Sequence, residues 1–382
     1  LMASFYLHIP FCRRACHYCD FHFSTKLDYI DRMVVAMTEE MRLRKTDWQE
    51  ATFNTFYLGG GTPSVLNKQQ LLLLKNAALN HYSFTSDFEF TLEVNPEDVN
   101  EDQIMSWKEA GVNRLSIGLQ SFEDRDLKLM NRAHSSEDSL RSLQLAVNHF
   151  DRVSVDVIYG IPGQSDELLQ KGINQVVDIG ATHVSAYALT VEPKTALASY
   201  IEKELIPDID EEQAERQFLV VLDTLSSKGF EHYEISNFAL PGHYSVNNSS
   251  YWKGVSYIGI GPSAHGFDGK SRYWNIAQNH KYMNAIEGGS LNFEREELTI
   301  KDRYNEFVMT SLRTQWGVNY KDLESEFGTA YLNYFKMMIT PFLLDALLFE
   351  EEGVIRATRK GKFLIDGIAS ELFMVELKTN RT

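Results

Sequence analysis

Between residues 3 and 230 the spacing of apolar positions switches back and forth between two periods. A short apolar, β-branched run is followed by a turn or loop, then by a longer stretch in which apolar residues recur every three or four positions. The cycle occurs six times, with runs at Phe5 to Ile9, Thr55 to Leu58, Phe88 to Val94, Arg114 to Leu119, Val153 to Tyr159 and His183 to Leu189. The amphipathic stretches begin near Leu27, Lys68, Glu101, Ser136, Glu167 and Asp210, and Pro63 and Asn67 stand ahead of the second as start signals. Strands in alternation with helices predict an α/β fold, a parallel sheet joined by helical crossovers. The runs are nearly all apolar, and six units fit a partial, open parallel (β/α)6 barrel better than a closed eightfold one. A doubly wound sheet is the alternative.

From about Ile235 to Leu298 the texture changes to Gly, Ser, Asn and aromatic residues, as in NFALPGHYSVNNSSYWKGVSYIGIGPSAHGF. An ordered loop region at the open edge of the barrel is expected, because its aromatics are costly to leave in water. From Lys301 the helical pattern returns in DRYNEFVMTSLR, and GVIRATRKGKFLI reads as a short β-hairpin. The expected organisation is a barrel over 1–235, an aromatic loop region over 236–300 and a smaller, mostly helical, winged-helix-like domain over 301–382. That last part carries 11 Lys plus Arg against 12 Asp plus Glu, 11 − 12 = −1, so it lacks the basic footprint of a DNA-binding wing and reads as a packing or lid domain.

Net charge changes the picture in the same direction: −16 for the chain argues against a nucleic-acid partner. The longest apolar runs, such as Leu71 to Leu74 and Phe342 to Leu344, are far too short to cross a bilayer, and no basic-then-apolar signal opens the sequence, so a cytoplasmic location is expected. All three cysteines, Cys12, Cys16 and Cys19, fall in FCRRACHYCDF, directly after the first strand run. That is the carboxyl end of a barrel strand, where such folds build their sites. Thiols crowded in this way suit a metal site in a reducing compartment rather than a disulfide framework. Three thiolates can hold three irons of a four-iron, four-sulfur cluster and leave the fourth open. A structural zinc site with His8, His17 or His22 as fourth ligand, or unligated core thiols, are the other readings of the spacing.

With an aromatic directly before the third cysteine, FCRRACHYCDF resembles the C-x3-C-x-Φ-C signature of radical S-adenosylmethionine (SAM) enzymes. The resemblance implies a 4Fe-4S cluster whose open iron is chelated by the amino and carboxylate groups of SAM, which is then cleaved to a 5′-deoxyadenosyl radical. Later strand ends continue it: LGGGTP at Leu58 to Pro63, TLEVNP with Glu93, SIGLQSF with Gln120, MNRAH with Arg132 and SVDVIYGIPGQ with Asp156. Glycines there let backbone approach a ligand closely, and Arg132 supplies a fixed cation. The run of motifs is similar to the oxygen-independent coproporphyrinogen oxidase family, and most of the chain takes part, from Tyr6 to about His265 and again around SLRTQWGV. Carried over by position, the resemblance places Tyr6 and Tyr18 beside the cluster. Gly60, Gly61 and Thr62 then hold the methionine end and Glu93 faces its ammonium. Gln120 and Asp156 fall at the ribose hydroxyls, Arg132 at the carboxylate, and Ala188 and His265 around the adenosine.

Two kinds of protein share that family. The decarboxylating oxidase has a further cysteine two residues after the third ligand and an N-terminal extension. Here position 21 is Phe21 and only five residues precede Tyr6. Both features resemble the family's heme-chaperone branch, which carries an HNxxYW motif associated with heme. This chain reads NNSSYW, matching at Asn248, Tyr251 and Trp252 and placing Asn247 where the branch has histidine. Asn is a poor ligand for heme iron, so His243 or Tyr251 are the candidates to take its place. The resemblance therefore implies a heme chaperone with heme as cargo and heme-recipient proteins as partners. It also implies an electron donor such as flavodoxin or ferredoxin, and a homodimer stays open. The oxidase, which would remove hydrogen from propionate side chains before decarboxylation of a porphyrinogen, is the runner-up. A zinc scaffold without redox chemistry is the third reading.

Overall fold

A computed structural model describes residues 1–375. Its centre is six parallel strands paired in chain order: β1 (Met2–Ile9), β2 (Thr52–Gly60), β3 (Ser83–Val94), β4 (Arg114–Gln120), β5 (Val153–Tyr159) and β6 (His183–Ala188). The crossovers are α1 (Ile30–Arg44), α2 (Lys68–His81), α3 (Glu101–Ala110), α4 (Asp124–Leu129), α5 (Ser136–Val147) and α6 (Asp166–Ile179), with α7 (Ala196–Glu202) and α8 (Glu211–Ser227) after β6. The helix starts are fixed by side chains that accept from orphan backbone N–H groups. Asn67 and Ser135 each form a reciprocal capping box, while Asn100, Ser165 and Asp210 cap with a side-chain oxygen. Each cap contributes about 1 kcal/mol.

Register shows what the apolar runs conceal. Leu7, Leu58, Leu92, Leu115 and Val153 stand side by side across five strands, all buried, and this side packs against Met37 of α1, Leu74 of α2, Trp107 of α3 and Leu143 of α5. The alternate positions form different rows: Tyr6, Tyr57, Thr91 and Arg114; then Glu93, Ser116, Ser154 and His183; then Gly118, Asp156 and Ser185. The strands are therefore two-sided, with an apolar outer face against the helices and a polar inner face, and not apolar throughout as their composition suggests.

Strands also occupy the region expected to be loop. Beyond β6 the sheet continues antiparallel into β8 (Asn237–Ala239) and β7 (Glu231–Glu234). Beyond β1 come β9 (Tyr257–Ile260), parallel to β1, then β10 (His265–Phe267), β11 (Ser271–Asn275) and β12 (Phe293–Glu297), making twelve strands in one sheet. These pieces are three to five residues long, too short to show a period. The helix α9 (Val246–Trp252) lies on the inner face. Its Val246 and Asn247 N–H groups donate to Glu89 Oε1 of β3, at 3.1 and 3.3 Å, and Asn247 Oδ1 accepts from Thr55 Oγ1 of β2 at 3.2 Å. Between β11 and β12, α10 (Asn279–Glu287) is tied to α1 by a buried network in which Glu40 accepts from Arg44, Asn275, Gly261 N and Tyr282.

The C-terminal part follows a winged-helix order: α11 (Ile300–Leu312), β13 (Val318–Asn319), α12 (Tyr320–Phe327), α13 (Thr329–Leu344), β14 (Leu348–Glu351) and β15 (Val354–Ala357), then α14 (Arg359–Lys362) and α15 (Ile365–Glu371). The three strands pair as β13-β15-β14, over a separate core that includes Tyr304, Val308, Leu323, Phe335 and Ile355. The hairpin sits earlier than GVIRATRKGKFLI suggested. Its turn is Glu352-Gly353, both at positive φ, and Thr358 then caps a helix over what was expected to be the second strand. Residues 376–382 of the expected 301–382 unit lie outside the described residues.

Candidate functional site

The cysteines occupy the loop that leaves β1, pinned by backbone bonds and by its own side chains, Arg13 Nε donating to Asp98 Oδ1 (3.1 Å) and Arg14 Nη1 to Arg132 O (3.3 Å). Cys12 N donates to Ser24 O (3.0 Å), His17 N to Met130 O (3.1 Å) and Leu197 N to His17 O (2.8 Å), while Asn131 Nδ2 donates to Ala15 O (2.7 Å). All three thiols are half-buried. Thr62 Oγ1 donates to Cys12 Sγ at 3.3 Å and Arg132 Nη1 to Cys16 Sγ at 3.4 Å, so two of the sulfurs already face donors that favour thiolate. Burial pushes the free Cys12 and Cys19 thiols up to about 11. The imidazoles proposed as zinc ligands each have a bonded ring nitrogen: His8 bonds His22 O (2.8 Å) and Tyr6 Oη (3.3 Å), His17 bonds Leu129 O (2.8 Å), and His22 bonds Asn279 Oδ1 (2.7 Å). Among the described residues no group of three His, Cys, Asp or Glu side chains is placed to hold a single metal ion, whereas three thiols suit three corners of an iron–sulfur cluster.

Above the loop the inner rows converge on a polar rim. Glu93 Oε1 accepts from Tyr57 Oη (2.7 Å) and Oε2 from Gly60 N (3.2 Å); burial raises this carboxyl to about 7, against the lowering effect of the Tyr57 bond. Asp156 accepts from Ser116 Oγ (3.3 Å) and from Ser185, and burial lifts its pKa above the usual carboxylate range. Gln120 sits at a bulge in β4 with φ +68°, a left-handed conformation that costs about 1–3 kcal/mol for a non-glycine residue and marks functional sites. Arg132 Nη2 donates to Asn95 Oδ1 (2.8 Å) and Gly118 O (2.9 Å), and its Nε is buried with no partner among the described residues. The guanidinium therefore bridges the cluster loop and the rim, with one donor to spare. Tyr18 packs over Leu127 and Leu189, and Tyr6 stacks on Tyr57 at 5.9 Å.

The glycines have a second reason to be there. A Cβ on Gly59 would lie 2.8 Å from Glu93 Oε1, one on Gly61 would lie 2.6 Å from the carbonyls of Ile9 and Phe11, and one on Gly60, at φ +101°, would collide with the His8 ring. The protein's own walls already demand glycine here, before any ligand does.

Residues 6–174 match the family model described as Radical SAM superfamily, and residues 298–364 that of the HemN C-terminal domain. The chain is 33% identical over 367 residues to the Heme chaperone HemW of Bacillus subtilis (strain 168), covering 95% of this chain and 97% of that one. It belongs to the HemW family of radical SAM proteins. HemW of Escherichia coli (strain K12) is 30% identical over 397 residues, with 98% of each chain covered. Among solved structures, Coproporphyrinogen III oxidase (HemN) from Escherichia coli shares the fold with a TM-score of 0.83 at 24% identity, covering 97% of this chain and 90% of that one. Radical SAM membership implies a 4Fe-4S cluster and SAM, and the HemW name implies heme.

The positions carried over from the oxygen-independent coproporphyrinogen oxidase family, and the heme positions of its chaperone branch, spread over several elements. Tyr18, Gly60, Gly61, Thr62, Glu93 and Gln120 lie at strand ends or on the loops that follow them, Asp156 lies in the middle of β5, and Arg132 follows α4 and reaches back to Gly118 O. Ala188 closes β6, and His265, exposed and stacked on Trp274 at 6.0 Å, lies on β10, two strands beyond β1 on the other side and close enough to His8 to help lower its pKa after the larger effect of burial. His243 sits in the turn before α9, where neighbouring Arg152 and the cost of burial lower its pKa. Tyr251 and Trp252 sit at the far end of α9, Tyr251 against Tyr257 (4.7 Å) and close to Glu93, Trp252 under Arg313 (5.0 Å). Where an ordered loop was expected, the structure has a capped helix, with His243 ahead of its start and Tyr251 in its last turn. Asn247 is only 2% exposed, an interior residue rather than a surface ligand. Sequence reasoning missed Tyr57, Asn95, Ser116 and Ser185, the partners that hold Glu93, Arg132 and Asp156. Tyr57, Ser116 and Ser185 stand on neighbouring strands of the inner face, which only the register brings beside Glu93 and Asp156, and Asn95 directly follows β3.

Proposed function

We propose that this chain is a heme chaperone: a radical SAM protein that binds heme and passes it to recipient proteins. The observation that carries the reading is the near full-length likeness to proteins named Heme chaperone HemW, at 30–33% identity over 95–98% of the chain. Phe21, two positions after the third thiol and 66% exposed, supports it, because a thiol at that place would be the mark of the oxidase. Cys12, Cys16 and Cys19 would each ligate one iron. Glu93 would meet the SAM ammonium and the free Nε of Arg132 its carboxylate, with Gln120 and Asp156 at the ribose hydroxyls. When bound, the pair supplies one-electron cleavage of SAM to a 5′-deoxyadenosyl radical, for which an external electron donor such as flavodoxin or ferredoxin is needed. Heme would lie against α9, with Tyr251 as the ligand nearest the rim and Trp252 as a stacking surface.

The test is an anaerobic incubation of the cluster-loaded protein with coproporphyrinogen, SAM and a reductant, run beside a heme titration. A second stage follows the Soret band as an apo heme protein is added. Heme binding and transfer without protoporphyrinogen are expected. Formation of protoporphyrinogen would make the chain an oxidase.

A further inference from the structure

Away from the rim, a cavity of about 320 Å³ opens where the C-terminal domain meets β7. That is the lower end of the size range for small-molecule clefts, roughly 300–1,000 Å³. In a chain of net charge −16, its lining gathers Arg313, Arg356, Arg359 and Lys362 against a single acid, Glu234. The arginines have partners outside the cleft: Arg359 pairs with Asp223 (2.7 Å), Arg356 with Glu351 (3.3 Å) and Arg313 with Asp366 (3.4 Å). Lys362 does not. Its ammonium donates to His232 Nδ1 at 2.8 Å, and His232 Nε2 donates to Ile235 O at 3.0 Å, so the imidazole is a neutral acceptor. Two ammonium hydrogens are left without acceptors among the described residues. A second, independent donor is also idle, since Arg313 Nε is buried with no partner.

Apart from Thr314, Gln315 and Thr358, the remaining walls, Ile235, Leu312, Phe349, Ala357 and Ile365, are apolar. Apolar walls around unsatisfied cationic donors call for an anion on an apolar body, and the Glu234 carboxyl beside them disfavours a doubly charged phosphate. We propose that this cleft binds a carboxylate carried on a small apolar group, held by Lys362 and Arg313. Because Arg313 lies over Trp252, the occupant would also brace the end of α9. The carboxylate has two sources, a free small acid or the C-terminus of a polypeptide.

Calorimetry on the full cluster-loaded chain, with benzoate and with the tripeptide acetyl-Ala-Ala-Phe, each beside its amide, tests the proposal and separates the sources. At least one acid should bind, its amide should not, and Lys362→Met should weaken the acid about tenfold or more, the loss expected for a charge-assisted bond. Benzoate alone would point to a free acid, and the peptide alone to a chain terminus. Lys362→Gln repeats the test with a polar side chain should the Met variant fail to fold. Absence of binding by both acids, equal binding of acid and amide, or affinity unchanged in both Lys362 variants would overturn the assignment.

Discussion

Glu93→Gln should make the cofactor-free rim more stable at alkaline pH while changing little at acid pH. The carboxyl is raised from its ordinary 4.5 to about 7, first by burial and then by Asp156, against the Tyr57, Gly60 and Arg114 contributions that lower it. A raised folded pKa means that the native state holds the proton more tightly than the unfolded chain does. The stability contributed is therefore fully present below pH 4.5 and is lost as pH rises through 7. Each pH unit in that interval is about 1.4 kcal/mol, so the whole is about 3 kcal/mol. Gln cannot ionise and keeps the shape, and Tyr57 Oη can turn to accept from the amide. Urea unfolding of wild type and variant, without SAM, under argon at pH 5 and pH 8, gives the difference directly. The variant should gain about 2–3 kcal/mol on wild type between the two pH values. If the gap between them is the same at both, the carboxylate is ionised throughout and the burial argument is wrong. The same proton has a second reading: a SAM amino group that donates to Glu93 needs the carboxylate as acceptor, so SAM should bind more tightly at pH 8 than at pH 6 in wild type, with a weaker dependence in the variant.

Cys16→Ser should lose most iron and sulfide, measured by quantitative analysis after anaerobic reconstitution; full retention would defeat the three-thiol assignment. Asp156→Ala should weaken SAM binding at least several-fold in calorimetry, on roughly 1.5–3 kcal/mol for a charged hydrogen bond, with cluster content unchanged. In a heme titration Tyr251→Phe should alter the absorption spectrum and His243→Ala should not; the reverse would move heme to the other end of α9. Gly61→Ala, whose new methyl meets two carbonyl oxygens at 2.6 Å, should cost about 1–3 kcal/mol in thermal or urea unfolding, and an unchanged midpoint would show that the loop yields freely.

The barrel was readable because its helices are long, strongly periodic and capped, as at Asn67 and Ser135, and because β1 to β6 are each six residues or longer. The edge strands β8 to β12 were not, since three to five residues carry no period and their apolar positions are shared with glycine. The site divides the same way. Cys12 announces itself by the spacing of the three cysteines, and Glu93, Gln120 and Asp156 as polar residues in otherwise apolar strand runs. Asn95, Ser116 and Ser185 are common strand or turn residues, and only the register β3-β4-β5-β6 brings them to those side chains. The separation of His243 from Tyr251 depends on Ser245 Oγ capping Asn248 N at 3.2 Å, one bond in a segment whose composition reads as irregular.

In β1 through β6 the parity of a residue's position decides what a change there would damage. At Leu7, Leu58, Leu92, Leu115 and Val153 a substitution is a folding question, answered in a melting curve. One step along the same strands, at Tyr57, Glu93, Ser116 and Asp156, it is a recognition question, answered in a binding isotherm. The two inventories interleave residue by residue on opposite faces of the same strands, so a change of ligand is written in every second letter of the barrel while the letters between keep the fold.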